Sequence, residues 1–337
     1  MVKTIDFAKN MTLFFGSYLP GVKNLSGNTI LSYRDAFRLL LIFCRDVRKV
    51  PPEKVSFNVF NDGLINDFLQ WLEKDRKCSI ATRNQRLLAI HAFFRYVQVQ
   101  EPGQLQLCQQ ILQIPCKKYQ QQIVRHLTAE QTKNLLAAPN SSTRSGRRDM
   151  TLLSVLYDTG ARVQELCDLC ARDIRLERPA VVKLTGKGRK TRHVPILGNT
   201  VELLRSYMRE NGLLKNDKLD APLFFNQRYT ILTRGGINHI LQKYSAMAFK
   251  SSPEISQLLT PHVIRHSKAM HLYQCGVNLV YIRDILGHVD IATTDIYARA
   301  DTESKRKELE RVYTDITPEA QPDWNNDENL LEFLNSL

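Results

Sequence analysis

Long apolar runs are what this 337-residue sequence most clearly lacks. A membrane helix needs roughly 20 consecutive apolar residues, and the best candidate, Leu39 to Phe43, is a fragment of one. The first residues mix Lys3, Asp6 and Lys9 with apolar ones, without the layout of a signal peptide. The expectation is a cytoplasmic protein. A disulfide framework is missing too. The seven cysteines (44, 78, 108, 116, 167, 170 and 275) are odd in number and scattered through a long chain, a pattern of reduced thiols. Cys167 and Cys170 form a CxxC with no second ligand pair nearby. Zinc takes about four ligands, so the pair reads as helix-face cysteines rather than a metal or redox site. There is no internal repeat, and no carboxylate cluster suited to paired magnesium ions. Gly186-Lys187 is followed by Gly188 rather than Ser or Thr, which excludes a P-loop. Neither a metal nor a cofactor is expected.

What is present is ordinary in amount and uneven in distribution. Apolar residues make up 43% and charged residues 24%, enough to build real cores, and the length suits two domains better than one. Residues 1–300 hold 43 Lys and Arg against 24 Asp and Glu, a net +19. Residues 301–337 hold 4 against 10, a net −6. A basic body of this size favours a polyanion, because each phosphate neutralised releases counterions. A basic surface kept only for solubility is the alternative.

Helical periodicity runs through Val2–Phe15, Asn28–Val47, Asp62–Lys74 and Ser79–Val97. In the second, Ile30, Tyr33, Phe37, Leu40 and Leu41 recur three and four apart. Ser79 is placed to cap the fourth, with Leu87, Leu88, Ile90, Phe94 and Val97 as its apolar face. Its other face offers Arg83, Asn84, Gln85 and Arg86, types that suit phosphates and base edges, or simply water. The periodicity then fails in Gln- and Pro-containing sequence whose Lys117 and Lys118 are candidates for DNA contact, and a new helix opens at Thr128. This predicts a helical domain over 1–113, a linker over 114–127, a second domain over 128–313 and an acidic tail over 314–337. Within the second domain a helical pattern from Asp149 to Leu169 is interrupted at Thr159-Gly160. Asp173–Leu176, Val181–Thr185 and Arg192–Ile196 read as short strands, the last two forming a hairpin. From Thr200 to Tyr313 the pattern is helices joined by short loops. The fold class is therefore mainly α with one small antiparallel sheet.

Four segments of the second domain carry chemistry together. They are Thr159-Gly160-Ala161-Arg162-Val163-Gln164-Glu165-Leu166, Gly186-Lys187-Gly188-Arg189-Lys190-Thr191-Arg192, and Thr260-Pro261-His262-Val263-Ile264-Arg265-His266. The fourth is Leu286-Gly287-His288 with Thr293-Thr294-Asp295-Ile296-Tyr297. Each alone is weak, since an HxxR or a lone Tyr on a helix occurs in many chains. In this order and spacing they resemble the motifs of the tyrosine recombinase (phage integrase) family. The resemblance spans Thr159 to Tyr297, and the N-terminal helices are similar to the family's DNA-clamping core-binding domain by position and helix content only. Ala161 and Lys268 depart mildly from the family pattern, and Lys268-Ala269-Met270-His271-Leu272 is closer to transposon-encoded members.

The resemblance implies a site-specific recombinase that cleaves and rejoins DNA through a 3′-phosphotyrosine on Tyr297, without metal or ATP, in service of integration or excision of a mobile element. It implies Arg162 and Arg265 on the non-bridging oxygens, for which a planar, permanently charged guanidinium is suited. It implies Lys187 as the acid for the leaving 5′ oxygen, His262 as base or donor, and His288 as a second donor. Glu165, three residues after Arg162, steadies the site by the same resemblance. Arg189, Lys190 and Arg192 compete with Lys187 and are placed on the DNA backbone instead, and His266 and His271 are expected to pack or bond within their helix. A type IB-like topoisomerase shares this chemistry, and a DNA-binding protein with a decayed catalytic domain is a third class. The sequence ends in Leu330, Phe333, Leu334 and Leu337 on one helical face behind acidic residues. So short a helix needs a surface to dock on. The expectation is exchange in trans within a homo-tetramer on paired double-stranded DNA sites.

Overall fold

The computed structural model describes residues 7–118, 125–186, 188, 190–288, 290, 292–300 and 334–336, in two compact units, 1–122 and 123–337. The acidic tail lies outside the described residues except for 334–336, and so do Lys187 and Arg189.

The first unit contains α1 (Phe7–Leu13), α2 (Gly27–Asp46), α3 (Asp62–Lys74), α4 (Ile80–Gln100) and α5 (Leu105–Leu112). Local signals set the starts. Ser26, Asn61 and Ser79 have extended backbones, and their side chains accept from the amides of Thr29, Leu64 and Thr82. The first helical stretch does not stop at Phe15. It continues as a π-helix over Phe14–Val22 with Pro20 inside. Proline has no N–H for the α-helical ladder, and the wider turn keeps Phe14 and Leu19, five apart, both buried.

At the centre of this unit α4 carries Phe93, whose ring meets those of Phe7, Phe14, Phe37 and Phe94 at centroid distances of 5.6, 5.2, 5.1 and 5.5 Å. Such edge-on pairs add about 0.5–1.5 kcal/mol each beyond area burial. Because its neighbours enclose α4 on several sides, the two faces read from its sequence do not hold. Leu88, expected inside, is 48% exposed, while Arg83 and Asn84, expected on the solvent face, are buried. Arg83 Nη1 donates to the Pro115 carbonyl at 3.3 Å, and Asn84 exchanges both amide hydrogen bonds with the backbone of Lys117.

The second unit opens with α6 (Ala129–Ala137), where Thr128 and Gln131 form a reciprocal capping box. It continues with α7 (Arg144–Thr159), α8 (Val163–Cys167), and a three-stranded antiparallel sheet of β1 (Ile174–Arg175), β2 (Val181–Thr185) and β3 (Thr191–Pro195) in that spatial order. Thr185 pairs with Thr191, and Gly186 N donates to Lys190 O at 2.9 Å, closing the expected hairpin. Next come α9 (Gly198–Glu210), α10 (Arg234–Ala248), α11 (Pro253–Leu258), α12 (Pro261–Gln274), α13 (Leu279–Leu286) and α14 (Ala292–Ala300). The helical series expected from Thr200 onward is broken over 211–233. There backbone groups pair across the chain instead, with Leu223 N donating to Leu169 O and an isolated bridge between Phe225 and Ile231.

Two junctions position the site. α7 ends where Gly160 turns left-handed at φ 57°, the conformation glycine adopts at least cost, which hands the chain to α8. A Cβ there would sit 2.7 Å from Leu286 Cδ2, so the same glycine lets α7 approach the end of α13. α13 ends the same way at Gly287, φ 65°. Ala269, Met270, Ile282, Leu286 and Tyr297 form a small separate core that seats α14 on α12 and α13.

Candidate active site around the end of helix α13

The last carbonyls of a helix have no partner within it and sit at the negative end of its dipole. At α13 they are met by three guanidinium groups. Arg192 Nε donates to Ile285 O at 2.8 Å, Arg265 Nη2 to Leu286 O at 2.6 Å, and Arg162 Nη2 to Gly287 O at 3.1 Å. Residues from β3, α12 and the start of α8 converge there only because the chain folds them onto one helix end. Arg265 is buried, and its Nη1 donates to Gly160 O at 2.7 Å. Burial, with Arg162 and Arg192 close by, pulls it down to about 10, still charged at neutral pH.

Glu165 ties this group together. Its carboxylate is buried and accepts from Arg162 Nη1 at 2.9 Å, from the Arg162 amide at 2.8 Å, and from Arg192 Nη1 and Nη2 at 2.8 and 2.7 Å. Burial alone would raise its pKa, but hydrogen bonds from Arg192 and Arg162 hold it at about 2.

The imidazoles flank the arginines. Thr260 caps α12, putting His262 in its first turn and one helical step from Arg265. Burial, then Arg265 and Arg162, lower the His262 pKa below the ordinary histidine range. His288 follows the Gly287 cap, bonds Thr294 Oγ1 through Nδ1 at 2.9 Å and lies stacked 6.5 Å from the Tyr297 ring. Burial and the nearby arginines push it down to about 4. Tyr297, on α14, is fully buried, and its hydroxyl is 2.9 Å from His266 Nδ1. Burial raises the phenol to about 12, with Arg265 opposing.

The structure thus brings Arg162, Glu165, His262, Arg265, His288 and Tyr297 to one region. The β2–β3 turn flanking Lys187 opens onto it, since Gly186, Lys190 and Arg192 line a cleft of about 550 Å³ together with Arg162, Gly287 and His288. Several expectations need correction. His266 bonds the Tyr297 hydroxyl instead of its own helix. The signal was its place four residues after His262, on the same face of α12. His271 likewise bonds outward, to Tyr157 Oη and to Leu127 O, both at 2.9 Å. Arg192 spends all three guanidinium nitrogens on protein acceptors, Ile285 O and the Glu165 carboxylate, while lining the same cleft. Arg83 is interior in the first unit, and Arg86 donates to Cys78 Sγ. Lys117 pairs with Glu73 at 2.8 Å while half-exposed, and Lys118 and Lys190 are exposed.

Comparison with known proteins decides the family. Residues 125–304 match the phage integrase family, and residues 14–101 match the phage integrase N-terminal SAM-like domain. The chain belongs to the phage integrase family. Over its whole length it is 36% identical to a Sinorhizobium fredii protein, y4rC, described as an integrase/recombinase, with both chains fully covered. It is 30% identical to the tyrosine recombinase XerC of Bacillus subtilis, over 90% of this chain and 95% of that one. The enzyme is a tyrosine-type site-specific recombinase. Its fold is that of solved recombinases: the Tn1549 transposon integrase aligns with TM-score 0.68 at 19% identity, covering 89% of this chain and 98% of that one. The recombinase XerH aligns with TM-score 0.63 at 24% identity, covering 85% and 79%. Among the described residues no helix of the recombinase is long and apolar enough to cross a membrane.

Proposed function

We propose that this recombinase cleaves each DNA strand with Tyr297 as nucleophile and rejoins it through the 3′-phosphotyrosine, integrating or excising a mobile element. The observation that carries the reading is the gathering of Arg162, Arg265, His262, His288 and Tyr297 around the end of α13. In the cleavage step the Tyr297 oxygen bonds the phosphorus as the bond to the 5′ oxygen breaks. The phenolic proton leaves through His262, and Lys187 protonates the departing oxygen. Arg162 and Arg265 neutralise the non-bridging oxygens. Losing one such donor typically costs about 100- to 1000-fold in rate. Since no net phosphodiester bond is lost, rejoining is the same step reversed.

Tyr297 is buried with its hydroxyl on His266, so attack requires α14 to shift and exchange that bond for the phosphate. The full-length likeness to an integrase/recombinase supports the assignment to a mobile element. Assembly as a homo-tetramer on paired DNA sites, with the C-terminal helix exchanged in trans, belongs to the same reading. It is supported by the apolar face of Leu330, Phe333, Leu334 and Leu337.

The test uses labelled DNA from either side of the protein's own gene, incubated in EDTA and denatured in SDS. An SDS-resistant adduct with wild type and none with Tyr297→Phe, both binding in a gel shift, is the expected outcome. Binding by both without an adduct, even on nicked substrates that trap the intermediate, overturns the catalytic reading. Truncation after Pro318 is expected to abolish cooperative binding to two-site DNA, and unchanged cooperativity overturns the exchange in trans.

A further inference from the structure

We propose that Arg192 is a positioning residue of the reaction: by occupying the Glu165 carboxylate from β3, it keeps Arg162 from being drawn into a two-point pair with that carboxylate and so leaves its charge available to the phosphate. This rests on the reading of Arg162 given above.

The hydrogen bonds around Glu165 are the basis. Each carboxylate oxygen accepts twice, once from each arginine: Oε1 from Arg192 Nη1 and Arg162 Nη1, Oε2 from Arg192 Nη2 and the Arg162 backbone amide. Arg192 therefore takes the fork-on geometry that carboxylates favour. Arg162 keeps a one-point side-chain contact, with 35% of its side chain exposed against 12% for Arg192. Arg192 is anchored from behind, because its Nε donates to Ile285 O at 2.8 Å. The space for the pair is built in. A Cβ at Gly186 would lie 2.8 Å from Glu165 Oε1, and one at Gly287 would lie 2.9 Å from Arg192 Nη1.

Without Arg192, Glu165 loses half of its hydrogen bonds and keeps one counter-charge, Arg162. A buried carboxylate left in that state draws the remaining guanidinium into a two-point pair. Arg162 would then be neutralised by the protein instead of neutralising the phosphate. Lysine does not replace Arg192, since a single ammonium cannot make the fork and reach Ile285 O as well.

The test measures single-turnover cleavage of a nicked substrate that traps the phosphotyrosine, together with DNA affinity as a function of salt. Arg192→Gln and Arg192→Lys are expected to bind DNA as wild type does, with the same salt slope, and to cleave about 10- to 100-fold more slowly. Adding Glu165→Gln to Arg192→Gln removes the charge that captures Arg162, so the double variant is expected to cleave about tenfold faster than Arg192→Gln alone. A double variant as slow as the single one overturns the proposal. So does a salt slope reduced by about one phosphate contact, which would make Arg192 a DNA ligand. If Arg192→Gln fails to fold, Arg192→Lys and its double variant with Glu165→Gln carry the same comparison. A methylphosphonate at the scissile position, which has one charge fewer to neutralise, separates the two readings. Arg162→Ala is expected to lose most of its defect there. If it does not, the role given to Arg162 fails. If it does while Arg192→Gln keeps its full defect, only the role of Arg192 fails.

Discussion

Burial keeps the Tyr297 hydroxyl and the His266 imidazole, 2.9 Å apart, in their uncharged forms. Burial raises the phenol to about 12, and burial, with His262 and Arg265 near, lowers the imidazole to about 4. Both shifts disfavour proton transfer from the phenol to this imidazole, so His266 holds the neutral hydroxyl rather than acting as its base. Replacing His266 with Phe leaves a buried hydroxyl without its partner, and a loss of about 1–3 kcal/mol in urea denaturation at pH 7 is expected. The pH dependence follows from the sign of the shift. His266 and His288 have folded values near 4, below the ordinary 6.5, so the unfolded chain binds their protons first. Their contribution is complete above about pH 6.5 and is lost as pH falls toward 4. Stability of His266→Phe should fall less steeply than wild type between those values, and parallel curves would sink this account. Lone residues of this kind were partly legible. His262, Arg265, His288 and Tyr297 stood out by motif. The partner of Tyr297 did not, because an imidazole on α12 and a phenol on α14 meet only through packing.

Helix ends were more legible than helix faces. A cap is a contact between residues three apart, which is why Ser79 and Thr128 could be read as starts and Gly160 as an interruption. The face of α4 depends on how many neighbours surround it, and that sent Arg83 inward and Leu88 outward against the pattern. The Gly287 cap carries a prediction of its own. Gly287→Ala puts a Cβ at φ 65° and 2.9 Å from the Arg192 guanidinium. It is expected to cost about 1–3 kcal/mol in thermal unfolding and to slow adduct formation with it. Wild-type stability together with wild-type cleavage would show that the α13 end tolerates displacement of Arg192.

Across the whole molecule, the +19 on residues 1–300 predicts DNA affinity that falls steeply with ionic strength. Filter binding between 50 and 200 mM salt should show a loss of several orders of magnitude, equal for wild type and Tyr297→Phe. Salt-independent binding would mean that the basic surface does not contact phosphates. The sequence by itself determined the class of protein. Composition set a basic two-part chain, periodicity set its helices, and four short motifs carried the likeness to the recombinases. These are properties of neighbours along the chain or of summed charge, and they need no packing to be read. Only the tertiary structure decided which charges face inward. Arg192 and Lys190 lie two residues apart on one hairpin, yet the first is locked to Glu165 and the second is exposed. The difference comes from the end of α13, 93 residues further along the chain, whose carbonyls draw guanidinium groups from three separate elements.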